Sequence, residues 1–254
     1  MRFNDYLGAI SNDSELLITA AQKGLQADVP ACPGWNVRDV VAHVGQVHRS
    51  KEATVSGGHT DNRGSDDVQL PSDDELIDWF AEGATKLLVT LAAADPATPV
   101  WTWDAEDHTV GFWYRRMAHE TFIHRVDAEQ AHGPESPADA ELCADGIEEM
   151  LTKFIGGPPE WGKVEQGEGV IELRALMRNW LIRRDTYLGT TPSGKIIEEK
   201  SVYNPADPDS VADTTIFGST QAINLWLWGR GSDTNLAITG DVSAADQLRA
   251  DAAV

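Results

Sequence analysis

The sequence predicts a two-domain α+β protein in which a helical bundle precedes a smaller mixed domain. Three observations predict it. Apolar residues recur at helical spacing through most of the first 132 positions. From about residue 168 the texture changes to short β-branched runs separated by Gly, Pro and Asn-Pro turns. Those strands are grouped ahead of the last helices rather than alternating with helices in βαβ units, which is the α+β pattern. A chain of 254 residues is long enough for two modest domains, each with its own core and neither needing a disulfide or metal to fold. The expected domains are 1–155 and 165–254.

In the first half, Phe3, Leu7, Ile10, Leu16, Leu17 and Leu25 form a helical stripe over 3–26. Val29-Pro30-Ala31-Cys32-Pro33-Gly34 then has to be a loop, since two prolines and a glycine interrupt any regular ladder. Asn36 reads as an N-cap, with Asp39 as the acid of the first turn, for a helix reaching about Ala53. Residues 56–71 are polar and Gly-rich, a loop. Ser72-Asp73-Asp74-Glu75 reads as a capping box for a long core helix through Leu76, Phe80, Ala84, Leu87 and Leu91. A fourth helix spans 109–132 through Phe112, Trp113, Met117, Ile123 and Ala131. Four such helices suggest an antiparallel bundle. Ser136 reads as an N-cap with Pro137 in the first helical position of a fifth helix. Further on, 170–176, 180–183, 195–202, 211–217 and 236–239 read as strands, with helices over 218–228 and 243–250.

Composition narrows the function classes. The net charge of −21 divides evenly, −11 over 1–134 and −10 over 135–254, so it is a general solvated surface rather than an acidic tail. Without clustered Lys and Arg there is nothing to replace the counterions of a nucleic acid or to meet an anionic membrane. The N-terminus lacks a basic segment followed by an apolar stretch, and the longest apolar run, around Leu87–Ala94, is far short of a membrane span. A cytoplasmic location is expected. Cys32 and Cys143 form no Cys-x-x-Cys pair and read as reduced thiols. No Gly-rich phosphate loop, dinucleotide fingerprint or nucleophile elbow is present.

All seven histidines lie at or before position 132, so histidine chemistry belongs to the helical half. Glu120 and His124 are four residues apart, which turns a helix by about 400° and leaves them about 40° apart on one face. His119 is five residues from His124, about 140° around the helix, which rules out the His-Glu-x-x-His zinc pattern. His43 sits among Val40, Val41, Ala42 and Val44 on a stretch that faces the bundle interior. His43, Glu120 and His124 would suit Zn²⁺ or a neighbouring divalent ion with a fourth position open. On spacing alone, a hydrogen-bonded Glu–His pair and a satisfied core histidine are the more economical account of the same residues. Asp127 could fix the His124 ring from behind or pair with Arg125 or a neighbouring arginine. His48, turned away from His43, reads as a surface residue. Trp35, Trp101, Trp103 and Trp113 could line a pocket, although packing is the commoner use of tryptophan.

Two stretches carry a resemblance. Val29-Pro30-Ala31-Cys32-Pro33-Gly34-Trp35-Asn36-Val37-Arg38-Asp39-Val40-Val41-Ala42-His43-Val44 resembles the opening signature of the mycothiol-dependent maleylpyruvate isomerase family. His119-Glu120-Thr121-Phe122-Ile123-His124-Arg125-Val126-Asp127-Ala128-Glu129 resembles its second signature, and Leu225-Trp226-Leu227-Trp228-Gly229-Arg230 its late segment. The resemblance implies a DinB-like four-helix bundle holding one metal, most simply zinc, through His43, Glu120 and His124. A small α+β domain similar to sterol-carrier folds would follow it. It also implies mycothiol as thiol cosubstrate, an activity of S-transferase or cis–trans isomerase type on a small electrophile, and a setting of detoxification or secondary metabolism. Arg230 then becomes the candidate catalytic cation, with capping of the helix that ends near Gly229 as the alternative. A metal-dependent hydrolase and a non-catalytic small-molecule binder with a structural metal are the competing functions, and the chain is expected as a monomer or homodimer.

Overall fold

The computed structural model describes residues 1–61, 68–158 and 160–253. Two compact units divide it, Met1–Pro137 and Ala138–Val254. The first holds four helices, α1 (Phe3–Ala21), α2 (Val37–Ser56), α3 (Asp73–Ala93) and α4 (Val110–Gln130). Their lateral order is α1, α3, α2, α4 and back to α1, so helices successive in sequence are not all neighbours. This order lays α2 against α4. Ile10, Leu17, Val40, Val44, Leu76, Phe80, Leu87, Leu91 and Phe122 are fully buried between them, each contributing about 1.5–3 kcal/mol of burial. At Gly45 the α2 backbone meets the Trp79 ring of α3 so closely that an added Cβ would lie 2.2 Å from it.

Local signals held where the backbone needed them. Asn36 accepts from the Asp39 amide (3.1 Å) while the Asp39 carboxylate takes the Asn36 N–H (3.1 Å), a reciprocal cap on α2. Helix α1 stops at Ala21 rather than 26, because the Leu25 and Ala27 carbonyls are taken by Arg38 and Val37 at the start of α2. The capping box expected at Ser72 does not form: its hydroxyl donates to the Glu75 carboxylate at 2.9 Å and caps no backbone N–H. Of the loop expected over 56–71, residues 62–67 lie outside the described residues.

The second unit begins with α5 (Ala140–Glu149), which runs on through a π-helical turn at Met150–Phe154. Residues 140–154 thus belong with the second unit, not with the helical domain expected to end at 155. Asp139 caps α5 through the amides of Glu141 and Leu142, displacing Ser136 from the expected role. Ser136 instead gives its N–H and hydroxyl to Glu129 (3.0 and 2.7 Å). The strands are β1 (Gly162–Glu165), β2 (Val170–Arg174), β3 (Asn179–Thr190), β4 (Ile196–Pro205), β5 (Thr214–Phe217) and β6 (Ala237–Gly240). Long β3 pairs with β4 along one edge and with β1 and β2 end to end along the other. Parallel β5 follows β2, and β6 closes the sheet. Helices α6 (Thr220–Leu227) and α7 (Val242–Asp251) bury Ile223, Leu225, Trp226, Ala245 and Leu248 in this unit. Strand β1 and the extension of β3 were not legible: β1 is largely exposed, the extension is mostly half-buried, and neither carries an apolar alternation. No described helix is long and apolar enough to cross a membrane.

His48 is not a surface residue. It is fully buried, because α2 has α3 on one flank and α4 on the other. Its Nε2 lies 2.9 Å from Thr121 Oγ1, whose own proton goes to the Met117 carbonyl (2.7 Å), so Nε2 donates and Nδ1 is a buried acceptor without a hydrogen bond. Burial pushes its pKa down from 6.5 to about 4. The unfolded chain therefore takes up this proton near pH 6.5 and the folded chain only near 4, so stability is lost as the pH falls across that window and is unaffected above it. Asp13, pushed up to about 6 by burial, opposes this by losing stability as the pH rises. A difference between proteins isolates His48: between pH 7 and 4.5 the unmodified protein should lose about 2 kcal/mol more than His48→Gln in urea unfolding. Equal losses would refute the assignment.

Candidate metal centre

The loop before α2 and the middle of α4 build the site. The loop closes on itself through Val29 N–H to the Trp35 carbonyl (3.0 Å) and Trp35 N–H to the Cys32 carbonyl (2.9 Å). Gly34 takes a φ of +86°, which a side chain would strain. The turn delivers Trp35 just ahead of the Asn36 cap, so the indole lies near His43, one and a half turns into α2.

His43, Glu120 and His124 come together with one potential ligand atom from each, all within 4.8 Å. His43 Nε2 is 3.1 Å and His124 Nε2 3.5 Å from the same oxygen, Glu120 Oε1. A zinc ion about 2.0–2.2 Å from each of three tetrahedral ligands would hold them about 3.4 Å apart, so the donor set fits such an ion in kind, and both separations from Glu120 Oε1 lie near that value. Trp35 stacks nearly parallel to His124 (centroids 6.2 Å, 14°) and meets His43 edge-on (5.2 Å). Exposure rises outward: the side chains of His124, Glu120 and His43 are 12%, 17% and 37% exposed. The most open of the three borders a groove of about 420 Å³ lined by Trp35, Arg38, Ala42 and Gln46. A site closed behind and open in front can admit an outside ligand.

The groups behind the triad set its charge. His124 Nδ1 lies 2.9 Å from Asp127 Oδ2, and Asp127 is fully buried. Burial pushes the His124 pKa down, but the Asp127 and Glu120 carboxylates outweigh it and hold it at about 9. Burial likewise pushes the Glu120 carboxyl up, yet hydrogen bonds from His124 and His43 and the Arg116 charge leave it well below the usual carboxylate range. A divalent ion would take the place of the imidazole proton on Nε2. Of the two roles open to Asp127, the His124 contact is present. Arg125 turns instead to Asp13 (3.2 Å) and Glu129 (2.7 Å).

Two neighbours escaped the sequence reading: Cys32 Sγ donates to Asp127 Oδ2 at 3.6 Å, and Arg116 Nη2 donates to Glu120 Oε2 at 2.7 Å. Trp35, one of the tryptophans read as possible pocket lining, lies beside the rings and lines the groove. The Arg116 signal was available, since 116, 120 and 124 share one four-residue row on α4. Trp101 and Trp113 pack together, with the Trp113 indole N–H on the Trp101 carbonyl (2.8 Å). In the second unit Gly229 (φ +75°) ends α6, and Arg230 Nη1 donates to the Trp228 carbonyl at 2.6 Å. That contact is of the capping kind.

A bundle with a two-histidine, one-carboxylate cluster, followed by a mixed-sheet unit, defines a class of helical proteins with a candidate metal centre. Residues 8–129 match the family model described as the mycothiol maleylpyruvate isomerase N-terminal domain, and residues 141–247 match its C-terminal domain. The chain belongs to the mycothiol-dependent maleylpyruvate isomerase family. Two solved structures share its fold. One is a histidine-to-alanine mutant of the mycothiol-dependent maleylpyruvate isomerase, at 14% identity and TM-score 0.61; the other is that isomerase itself, at 15% and 0.59. Each alignment covers 94% of this chain and 93% of the other. A comparison with curated proteins finds no match.

If Asp127 orients His124 for a metal, Asp127→Asn should weaken Zn²⁺ binding by about 10–100-fold, measured by competition with a chromophoric chelator. Unchanged affinity would assign Asp127 to packing alone.

Proposed function

We propose that His43, Glu120 and His124 hold one divalent metal ion, most simply Zn²⁺, and that the protein uses mycothiol to isomerise or S-substitute a small electrophile. The observation that carries the reading is the convergence of the three donors on a half-open wall of the bundle. Family membership supports the thiol. When bound, the metal favours the thiolate over the thiol of an incoming ligand, and so supplies the nucleophile.

The chain's own residues prepare this. Asp127 accepts a hydrogen bond from the Nδ1–H of His124, which leaves the Nε2 lone pair to face the site. Glu120 contributes one negative charge, and Trp35 shields the inner imidazole from water. In an isomerisation the thiolate adds to a cis double bond, the new single bond rotates, and elimination returns the thiolate and the trans product. In a transfer the enolate formed by addition regains the proton that the thiol gave up, and the thioether adduct leaves. Arg230 is proposed as the cation that stabilises the substrate carboxylate or developing enolate.

Protein purified without an affinity tag should carry about one divalent ion per chain and lose it in His43→Ala. With mycothiol it should consume maleylpyruvate or a related electrophile. Turnover without thiol would favour hydrolysis, and a retained metal with no thiol-dependent turnover of any electrophile would leave a binding protein. Arg230→Ala should lower kcat/KM about 100-fold or more with metal content unchanged. Undiminished turnover would leave Arg230 as a helix cap.

A further inference from the structure

We infer that Arg116 is a positioning residue of this centre: it claims one oxygen of Glu120, so that among the described residues the site offers a metal three protein donors and keeps a position open for an outside ligand. The inference rests on the metal reading above. The two oxygens of Glu120 have separate partners. Oε1 is the atom near both imidazoles, 3.1 Å from His43 Nε2 and 3.5 Å from His124 Nε2, while Oε2 accepts from Arg116 Nη2 at 2.7 Å.

This division is not easily undone. A guanidinium stays protonated at any working pH, and the Arg116 side chain is only 7% exposed, so giving up Oε2 would leave a buried charge less well paired. The two residues stand one turn apart on α4, which fixes their spacing. A carboxylate free at both oxygens can chelate an ion and fill the position an outside ligand would use. Arg116 also offsets one of the two carboxylate charges, Glu120 and Asp127, next to the imidazoles. An anionic ligand thus meets a less negative site.

Co²⁺ suits the same donors as Zn²⁺ and absorbs visible light strongly when four-coordinate and weakly when five- or six-coordinate. Azide is a suitable probe because it needs an open position and no knowledge of the natural thiol. The unmodified protein loaded with Co²⁺ should show the strong band and a shift on adding azide. Arg116→Met should keep one Co²⁺ per chain, lose band intensity, and bind azide about tenfold more weakly. A role confined to stability would move the unfolding midpoint but neither spectrum nor azide affinity, and that result overturns the inference. Should Arg116→Met fail to fold, X-ray absorption of the Zn²⁺-loaded unmodified protein decides. Four light-atom donors uphold the inference, and five or more with a chelating carboxylate overturn it. Failure of the unmodified protein to bind Co²⁺ would instead bring down the metal reading and this inference with it.

Discussion

Helix α4 is buried on nearly every side, and every ionisable group it carries has to find a counter-charge or hydrogen bond within the protein. Stranding one such charge in a low-dielectric interior costs several kcal/mol. Arg116, Arg125, Asp127 and Glu129 are each less than a tenth exposed. Arg125 meets Asp13 of α1 and Glu129 of its own helix, and Glu129 in turn holds Ser136 beyond the helix end. Asp127 meets His124, and Arg116 meets Glu120. Structural pairing and the candidate centre are consecutive sections of one charge ladder along the helix. The triad inherits its rigidity from the need to satisfy that ladder.

The lateral order of the helices completes the arrangement. Because α2 lies against both α3 and α4, its His43 can approach Glu120 while His48, turned about 140° away, is buried against Phe80 and Thr121. Gly45 lets the Trp79 ring lie against the backbone between these two histidines. The spacing of α2 from α3 is thus set two residues from His43.

Much of this was legible in the sequence. The four-residue step from Glu120 to His124, the Asn36–Asp39 cap and the apolar stripes of α2, α3 and α4 are local signals, and local geometry carries them. What escaped reading depended on partners far along the chain. His48 looked exposed because one helix wheel cannot reveal two flanking helices. Ser136 lost its cap to Asp139 because Glu129, seven residues earlier, needed its hydroxyl. Cys32 reaches Asp127 across 95 positions, and no spacing rule connects them. The sheet was underestimated for another reason: β1 is largely exposed, so its residues are chosen for solvent and carry little strand pattern, whereas β4, exposed along much of its length, was still read over 195–202.

That exposure bears on how molecules of this protein meet one another. Strand β4 forms an outer edge of the sheet; at its inner end the Tyr203 N–H donates to the Ile155 carbonyl (2.9 Å), and its outer half is the kind of border along which a neighbouring chain could zip. Its outer half carries Glu198, Glu199 and Lys200, and the opposite border is made of β1 and β6, each only four residues long. Charge guards one border and brevity the other. Added to a net charge of −21, these features set crowded copies of the protein repelling one another before their sheets can join.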